Sequence, residues 1–378
     1  MERLRLYEFR NYRHCALDLT PGLNLITGSN AQGKTNLLEA IATLALTRSP
    51  RPGGAADLIR WGAHQCAVEA RVRRPGGETV MTIRFDLDAR GRAVRGMSVD
   101  GKPRAARAML GICPVVLFSP EDLQLVSGGP DARRRQLDML LAQLDPLTAG
   151  ELFAYRRALV QRNAALRTIA DGAGGQSALA VFTRAMVVHG ARIRRARTAL
   201  VRELSGAAAR SLREISGGLD PLSLRYLADG QYLEPAEGLA EGESRIDEAL
   251  RRRSAEERAR GMTLSGPHRD DVEICLDGRP ARHTASQGQQ RSMVLAYKLA
   301  EVGHLRAAAG CAPVLLLDDV FGELDRARRE HLLSAIRAMG SLQLVVTATD
   351  ASPFPTGAFP ASRAFTVSAG VVGDGKIG

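Results

Sequence analysis

Gly28-Ser29-Asn30-Ala31-Gln32-Gly33-Lys34-Thr35 is the stretch that decides the fold. It satisfies every fixed position of the pattern G-x-x-x-x-G-K-[ST]. Leu23 and Leu25 alternate just before it, and Leu37, Leu38, Ile41, Leu44 and Ala45 follow at helical spacing. The segment therefore reads as strand, loop, helix. Glycines in such a loop let successive backbone N–H groups turn inward around phosphates, and the helix N-terminus adds partial positive charge. Gly28, Ser29, Asn30, Ala31, Gln32 and Gly33 are the expected cradle for ATP. Lys34 is expected to bridge the β- and γ-phosphates in a catalytic role, and Thr35 to hold Mg²⁺ through its hydroxyl.

Outward from the loop, Leu4 and Leu6, then Leu17 and Leu19, suggest two strands, with Pro21-Gly22 turning into the strand before the loop. Val68, Ala70 and Val72 alternate on one side of Pro75-Gly76-Gly77, and Met81, Ile83, Phe85 and Leu87 on the other, which predicts a further antiparallel pair. Beyond residue 121 arginine-studded helical stretches take over (133–144, 151–170 and 178–204), with Gly172-Ala173-Gly174-Gly175 as the tip between two antiparallel helices. Strand texture resumes at Val272, Ile274 and Leu276, closed by Asp277-Gly278. A helix over 287–305 and buried strands at 314–317 and 342–347 complete the pattern. The tail after Asp350, rich in Pro, Ser, Ala and Gly, has little pattern. The organisation expected is an α/β core from residues 1–121 and 262–378, with an antiparallel β subdomain and an α-helical lobe, 122–261, inserted into it.

The partner of the phosphate loop lies far along the chain. Val314-Leu315-Leu316-Leu317-Asp318-Asp319 is an apolar strand ending in two carboxylates. Asp318 suits the Mg²⁺ shell, and Asp319 suits a catalytic base or orienter for an attacking water. By itself an Asp-Asp pair after a strand is equally a helix cap or a turn. Ser286-Gln287-Gly288-Gln289-Gln290 opens the helix before that strand. Ser286 is a good N-cap residue and Gly288 permits close backbone approach. Such a start caps a helix, and it also meets the needs of an anion site, here for a γ-phosphate held by a second subunit.

The chain has 378 residues, a net charge of +11 and only four lysines, Lys34, Lys102, Lys298 and Lys376. The arginine-borne positive charge suggests a polyanionic partner, with arginine-rich coding bias as the bland alternative. The clusters at 133–135, 156–157, 192–197 and 251–253 are either solvated helix faces or phosphate contacts. Between residues 122 and 261, 22 arginines face 18 acidic residues, so the inserted lobe is not simply a basic arm. Aromatic content of 4% favours duplex backbone contacts over a stacking platform for single strands. The five cysteines form no C-x-x-C pair, which argues against a disulfide frame or zinc site and for reduced thiols in a cytoplasm. No apolar run approaches membrane-spanning length, and Met1-Glu2-Arg3-Leu4-Arg5-Leu6 has no signal-peptide character.

Together, the phosphate loop, the Ser-x-Gly-Gln start, the strand ending in Asp318-Asp319 and the turn Glu323-Leu324-Asp325 resemble the ABC-type ATPase heads of the SMC class. Within that class the chain is similar to the RecF family of bacterial recombinational repair proteins. The matching stretches are 6–13 (Leu-Tyr-Glu-Phe-Arg-Asn-Tyr-Arg), 28–35, 118–123 (Phe-Ser-Pro-Glu-Asp-Leu), 265–271 (Ser-Gly-Pro-His-Arg-Asp-Asp) and 285–291. The resemblance implies an ATP-dependent homodimer sandwiching two nucleotides, each between one copy's 28–35 loop and the other's Ser286, Gly288 and Gln289. It also implies binding to duplex DNA and to single-strand/duplex junctions, weak DNA-stimulated ATP hydrolysis, mediator partners of the RecO and RecR type, and a cytoplasmic, nucleoid-associated protein.

The sequence departs from the wider class in three places. Asp319 stands where transporters usually have Glu, which suggests slow hydrolysis. Thr347-Ala348-Thr349 replaces a switch histidine, and Gly322 replaces the Ser that more often opens the acidic turn. A Q-loop glutamine is not obvious, and Gln124 is the candidate. A transporter's nucleotide-binding subunit would place its signature much nearer the loop than the observed span of about 250 residues. A small-molecule P-loop phosphotransferase would need no signature. A structural SMC-like linker would need longer heptad arms than an insertion of about 140 residues provides.

Overall fold

The computed structural model describes residues 1–216, 221–234, 238–352, 354, 359 and 361–375. Two compact units emerge. The first comprises Met1–Asp122, Glu214–Gly218 and Lys298–Gly378, and the second Leu123–Arg213 and Leu219–Tyr297.

The first unit holds two six-stranded sheets. One is antiparallel, in the order Tyr12–Asp18, Arg3–Phe9, Gln65–Arg74, Gly77–Leu87, Ala93–Val99, Lys102–Pro103. The other runs Val371–Asp374, Ser362–Ser368, Leu23–Thr27, Gln343–Ala348, Val314–Asp318, Val115–Phe118, parallel throughout except for the antiparallel terminal pair. Every residue of Leu23–Thr27 and of Val314–Asp318 is buried. A central parallel strand is covered on both faces, which is why Val314–Leu317 reads as an unbroken apolar run and why Asn24 in the other strand is buried too.

The helix after the loop, Lys34–Leu46, contacts strands of both sheets. It is therefore buried nearly all round, more completely than its one-face periodicity suggests. Glu39 lies within it at 2% exposure. Its charge is compensated by Arg10, which donates through Nε to Oε2 (3.0 Å) and Nη2 to Oε1 (2.6 Å), and by Ser49 Oγ at 2.6 Å. A buried carboxylate is tolerated only with partners of this kind.

The second unit contains the helices Pro130–Leu144, Pro146–Ala170, Leu239–Arg252 and Ser254–Arg260, and most of Gln176–Ser216. Gly172, Gly174 and Gly175 at the tip between the two longest helices all have positive φ, as a tight reversal requires. Asp145 caps Pro146–Ala170, accepting from the N–H groups of Leu147 and Thr148, both at 2.9 Å. Tyr155, Ala158, Met186 and Ile193 form one apolar cluster between these helices, and Val187, Ala191, Ile246 and Leu250 another.

The lobe boundary expected at residue 262 shifts, and the insertion in which helices are expected to dominate also carries strands. The second unit also carries a four-stranded sheet, Gln231–Tyr232, Leu222–Ala228, Asp271–Leu276, Arg279–Pro280, and it extends to Tyr297. The physical reason is pairing: Asp271–Leu276 is antiparallel to Leu222–Ala228 along its whole length, so it cannot belong to the core. The start of the helix Gln287–Ala309 accordingly lies in the second unit, and the part from Lys298 in the first. No helix among the described residues is long and apolar enough to cross a membrane.

Candidate nucleotide site

Thr27, Thr347 and Asp318 lie at the C-terminal ends of three neighbouring parallel strands, the edge of an open α/β sheet where ligands bind. The loop from Gly28 leaves this edge. Gly28 has φ +150°, and a Cβ there would lie 2.4 Å from the Val367 carbonyl oxygen. Gly33 has φ +114°, and a Cβ there would meet Asn11 Nδ2 at 2.4 Å. Both glycines are thus demanded by close approach as well as by conformation. Ala31 is also left-handed, at φ +64°. Lys34 is buried, and its ammonium donates to the carbonyls of Gly28 (2.6 Å) and Ser29 (2.9 Å), which places the charge over the loop.

Thr35 Oγ1 donates to Asp318 Oδ1 at 3.0 Å, joining the loop to the strand end 283 positions away. Thr347 Oγ1 donates to the same oxygen at 2.7 Å and accepts from the Asp319 N–H at 2.9 Å. Burial drives the Asp318 pKa above the usual carboxylate range, reinforced by the nearby charges of Glu121 and Asp319. The hydroxyls of Thr347 and Thr35 oppose the rise without cancelling it. A hydroxyl oxygen and a carboxylate oxygen at this spacing form a donor set suited to a hard cation completed by phosphate oxygens. Asp319 follows in the left-handed region at φ +52°. Asp tolerates that region better than most residues, and the turn carries it out of the strand toward the same edge.

A small groove is lined by Thr35, Leu38, Glu39, Pro50, Arg51, Leu117, Ser119, Glu121 and Asp318. From the segment proposed for a Q-loop, Glu121 lines this groove; Gln124 instead begins the short helix Gln124–Ser127 of the second unit. Thr347 and Glu121 were not among the expected site residues. The register of Gln343–Ala348 beside Val314–Asp318 places Thr347, and only a pairing partner could have revealed it.

The loop tip is also braced by residues the motif does not name. Asn11 Nδ2 donates to the Gln32 carbonyl at 2.9 Å, and Tyr12 OH to the Gly33 carbonyl at 2.9 Å. Ala369 N–H donates to Gln32 Oε1 at 2.6 Å, and Gly370 N–H to Gln32 O at 3.1 Å. Ala369 and Gly370, with φ of +48° and +77°, form the two-residue turn between the last two strands. The tail that reads as patternless in sequence thus supports the phosphate loop.

Ser286, Gly288 and Gln289 lie in the second unit, apart from the loop in the chain's division. Ser286 is exposed and caps Gln287–Ala309 reciprocally. Its N–H donates to Gln289 Oε1 at 2.8 Å, and its Oγ accepts from the Gln289 N–H at 3.2 Å. This is a capping box, which leaves the hydroxyl proton and the first N–H groups of the helix available.

Several of the arginines singled out for charge are structural. Arg133 grips Asp271 through two bonds of 2.7 and 2.9 Å. Arg194 grips Asp270 through two bonds of 2.8 Å and reaches Asp229 at 2.7 Å. Arg197 holds Asp138 (2.9 and 3.0 Å) and the Pro267 carbonyl (2.7 Å), and Arg162 holds Glu257 at 2.7 Å. Tyr226 OH adds a bond to Asp270 Oδ2 at 2.7 Å. His268 Nδ1 lies 2.7 Å from Tyr155 OH and Nε2 lies 3.3 Å from the Thr263 carbonyl, so Nε2 carries the proton and Nδ1 accepts. Burial lowers its pKa to about 4, keeping it neutral. The stretch 265–271 is therefore the polar centre of the second unit's core. Arg135, Arg156, Arg157 and Arg195 remain exposed.

Comparison with known proteins agrees with this geometry. The family model described as the RecF/RecN/SMC N terminal domain matches residues 1–358. A protein named DNA replication and repair protein RecF, from Symbiobacterium thermophilum, is 40% identical over 98% of this chain and 97% of its own length. Its namesake from Acidothermus cellulolyticus is 42% identical over 94% and 96%. A solved structure of the recombination mediator protein RecF with ATP, in the RecFOR pathway, superposes with a TM-score of 0.90 at 29% identity, covering 99% of this chain and 97% of that one. An Smc head bound to the C-winged helix domain of ScpA shares the fold at a TM-score of 0.54 and 16% identity, covering 98% and 95%. With an SMC-class ATPase head, a phosphate loop joined through Thr35 to Asp318, and relatives matching end to end, the chain belongs to the RecF family.

Proposed function

We propose that this chain is an ATP-switched DNA-binding protein of recombinational repair and replication-fork maintenance. The observation that carries the reading is the convergence of Thr35 and Thr347 on Asp318, with Asp319 presented beside them at the mouth of the phosphate loop. Inward N–H groups from residues 28–35 and the Lys34 ammonium hold the polyphosphate. Thr35 and Asp318 are the residues that would hold Mg²⁺, which when bound supplies charge neutralisation on the β- and γ-phosphate oxygens. Asp319 orients a water for in-line attack on the γ-phosphorus and accepts its proton as the bond to the β-phosphate oxygen breaks, releasing ADP and phosphate.

One copy of the chain supplies half of this site. The exposed capping box at Ser286 supports a composite arrangement in which a second copy brings Ser286, Gly288 and Gln289 to the γ-phosphate. Ser286 Oγ already accepts one bond and has its proton to donate. ATP then favours the dimer because it makes contacts there that the monomer lacks, and hydrolysis removes them. Asp319, a methylene shorter than Glu, fits slow, DNA-stimulated turnover suited to a switch. The DNA sites are single-strand/duplex junctions and duplex, and the protein partners are of the RecO and RecR type. Relatives named for DNA replication and repair, and one solved as a mediator of the RecFOR pathway, support this assignment.

Sedimentation with and without ATP, on gapped and blunt duplex, tests the switch. ATP should convert monomer to dimer, and Ser286→Arg should bind nucleotide as a monomer without dimerising. A variant that hydrolyses ATP at the wild-type rate would show that the site is not shared.

A further inference from the structure

The chain's single tryptophan, Trp61, is 96% exposed. Its mounting is rigid. Ala63 N–H donates to the Arg60 carbonyl at 2.9 Å and Gly62 has φ +82°, the hydrogen bond and left-handed third residue of a type II turn. The chain entering this turn is sewn to the first strand: Arg10 N–H donates to Leu58 O and Arg60 N–H to Glu8 O, both at 2.8 Å, with Ile59 bridged to Phe9. The chain leaving it enters the strand Gln65–Arg74, and the His64 carbonyl accepts from Leu87 N–H at 2.9 Å. An indole fixed on a two-sided scaffold and turned wholly to solvent loses little freedom when something covers it.

Two arginines share one carboxylate at the foot of its turn. Arg60 Nε donates to Glu8 Oε2, and Arg13 lies 4.0 Å from Glu8 Oε1. Arg13 is 80% exposed and Arg60 36%, while Glu8 is 12% exposed. Glu8 thus positions two cations whose sum exceeds its own charge. A protein hot spot of this kind is normally ringed by apolar neighbours that exclude water. The positions next to Trp61 in the chain, Arg60, Gly62, Ala63 and exposed His64, supply no such apolar rim. A flat π-face on a turn with cations gathered at its foot matches an unpaired nucleobase and its phosphates instead.

We infer that Trp61, with Arg13 and Arg60 gathered on Glu8 at the foot of its turn, is a stacking ledge for an unpaired base of a nucleic-acid strand. The inference rests on the DNA-binding reading above and deepens it, by giving the protein a contact available to single-stranded segments and denied to continuous duplex. It also qualifies the expectation that low aromatic content favours duplex backbone contacts over stacking: one well-placed ring suffices for one base.

Because Trp61 is the sole tryptophan, its emission reports its own site. Oligo-dT and gapped duplex should quench it on binding, and blunt duplex should leave it unchanged, with binding followed separately by anisotropy of labelled DNA. Trp61→Ala should weaken binding to oligo-dT about tenfold, a loss within the range for one base–aromatic stack. Trp61→Phe should restore most of it, and blunt-duplex affinity should be the same in all three proteins. Oligo-dT that binds with unchanged emission, and equally well to Trp61→Ala, overturns the ledge while leaving the DNA-binding function standing. Emission that answers to an acidic polypeptide but not to bound DNA overturns it in favour of a protein partner. Failure of every DNA to bind removes the DNA-binding reading and the ledge together.

Discussion

Replacing Asp270 with Asn tests whether the stretch 265–271 holds the second unit together or acts on a ligand. Asp270 is fully buried and accepts three bonds: two from Arg194, both 2.8 Å, and one from Tyr226 OH, 2.7 Å. Asparagine is nearly isosteric, yet it removes the negative charge and turns one acceptor toward Arg194 into a donor. Breaking a buried pair in this way typically costs about 3–5 kcal/mol, because the surviving charge is stranded. Here Asp229 still holds Arg194 at 2.7 Å, so the lower end, about 3 kcal/mol, is expected. For a unit of about 170 residues this corresponds to a fall of roughly 6–12 °C in melting temperature. Scanning calorimetry should show it in the transition belonging to the second unit, and a fluorescent ATP analogue should bind as before. Replacing both partners, Arg194→Met with Asp270→Leu, should recover part of the loss, since no buried charge is then stranded and only the partly exposed Asp229 loses its partner. An Asp270→Asn protein that melts like wild type but loses nucleotide or DNA binding would refute the architectural reading.

Three further outcomes are expected. His268 has a folded pKa of about 4 against about 6.5 when unfolded, so its stabilising contribution is present above pH 6.5 and is lost as pH falls from there toward 4. Thermal melts across that window should lose up to about 3 kcal/mol, and His268→Gln should flatten the slope; an unaltered slope contradicts the neutral, buried assignment. Gly370→Ala places a Cβ 2.5 Å from the Asn11 carbonyl in a left-handed turn, and should loosen the hold on Gln32. A weakening of ATP affinity by about fivefold with little change in turnover at saturation is expected, consistent with about one lost hydrogen bond. Asp319→Asn should bind ATP and persist as dimer, and rapid ATP turnover by it would move the base elsewhere.

Much of the candidate nucleotide site is legible in the sequence because its chemistry is local. Gly28, Gly33, Lys34 and Thr35 must occupy fixed positions in a loop. Asp318 stands out because a carboxylate pair closing a buried strand gains its meaning from the phosphate loop earlier in the chain. The turn at Asp277-Gly278 was legible for the same reason: two consecutive positive φ values admit few residue pairs. Asp229-Gly230 makes an equivalent turn, with φ of +49° and +81°, but Leu222–Ala228 before it sits among helical stretches and escaped notice.

Sequence by itself thus determined the nucleotide loop, the alternation of strand and helix around it and the family, since each rests on spacing within one segment or on order along the chain. Tertiary structure alone decided what meets at a distance. Thr347 reaches Asp318 through strand register, Asn11 and Gly370 grip Gln32 from opposite ends of the chain, and Asp271–Leu276 joins the second unit by pairing. It also divided the arginines. Arg133, Arg162, Arg194 and Arg197 are buried against carboxylates, while Arg13 and Arg60 meet Glu8 in more open surroundings. An arginine's charge is the same in every sequence context, and only its surroundings decide whether it holds the fold or faces solvent.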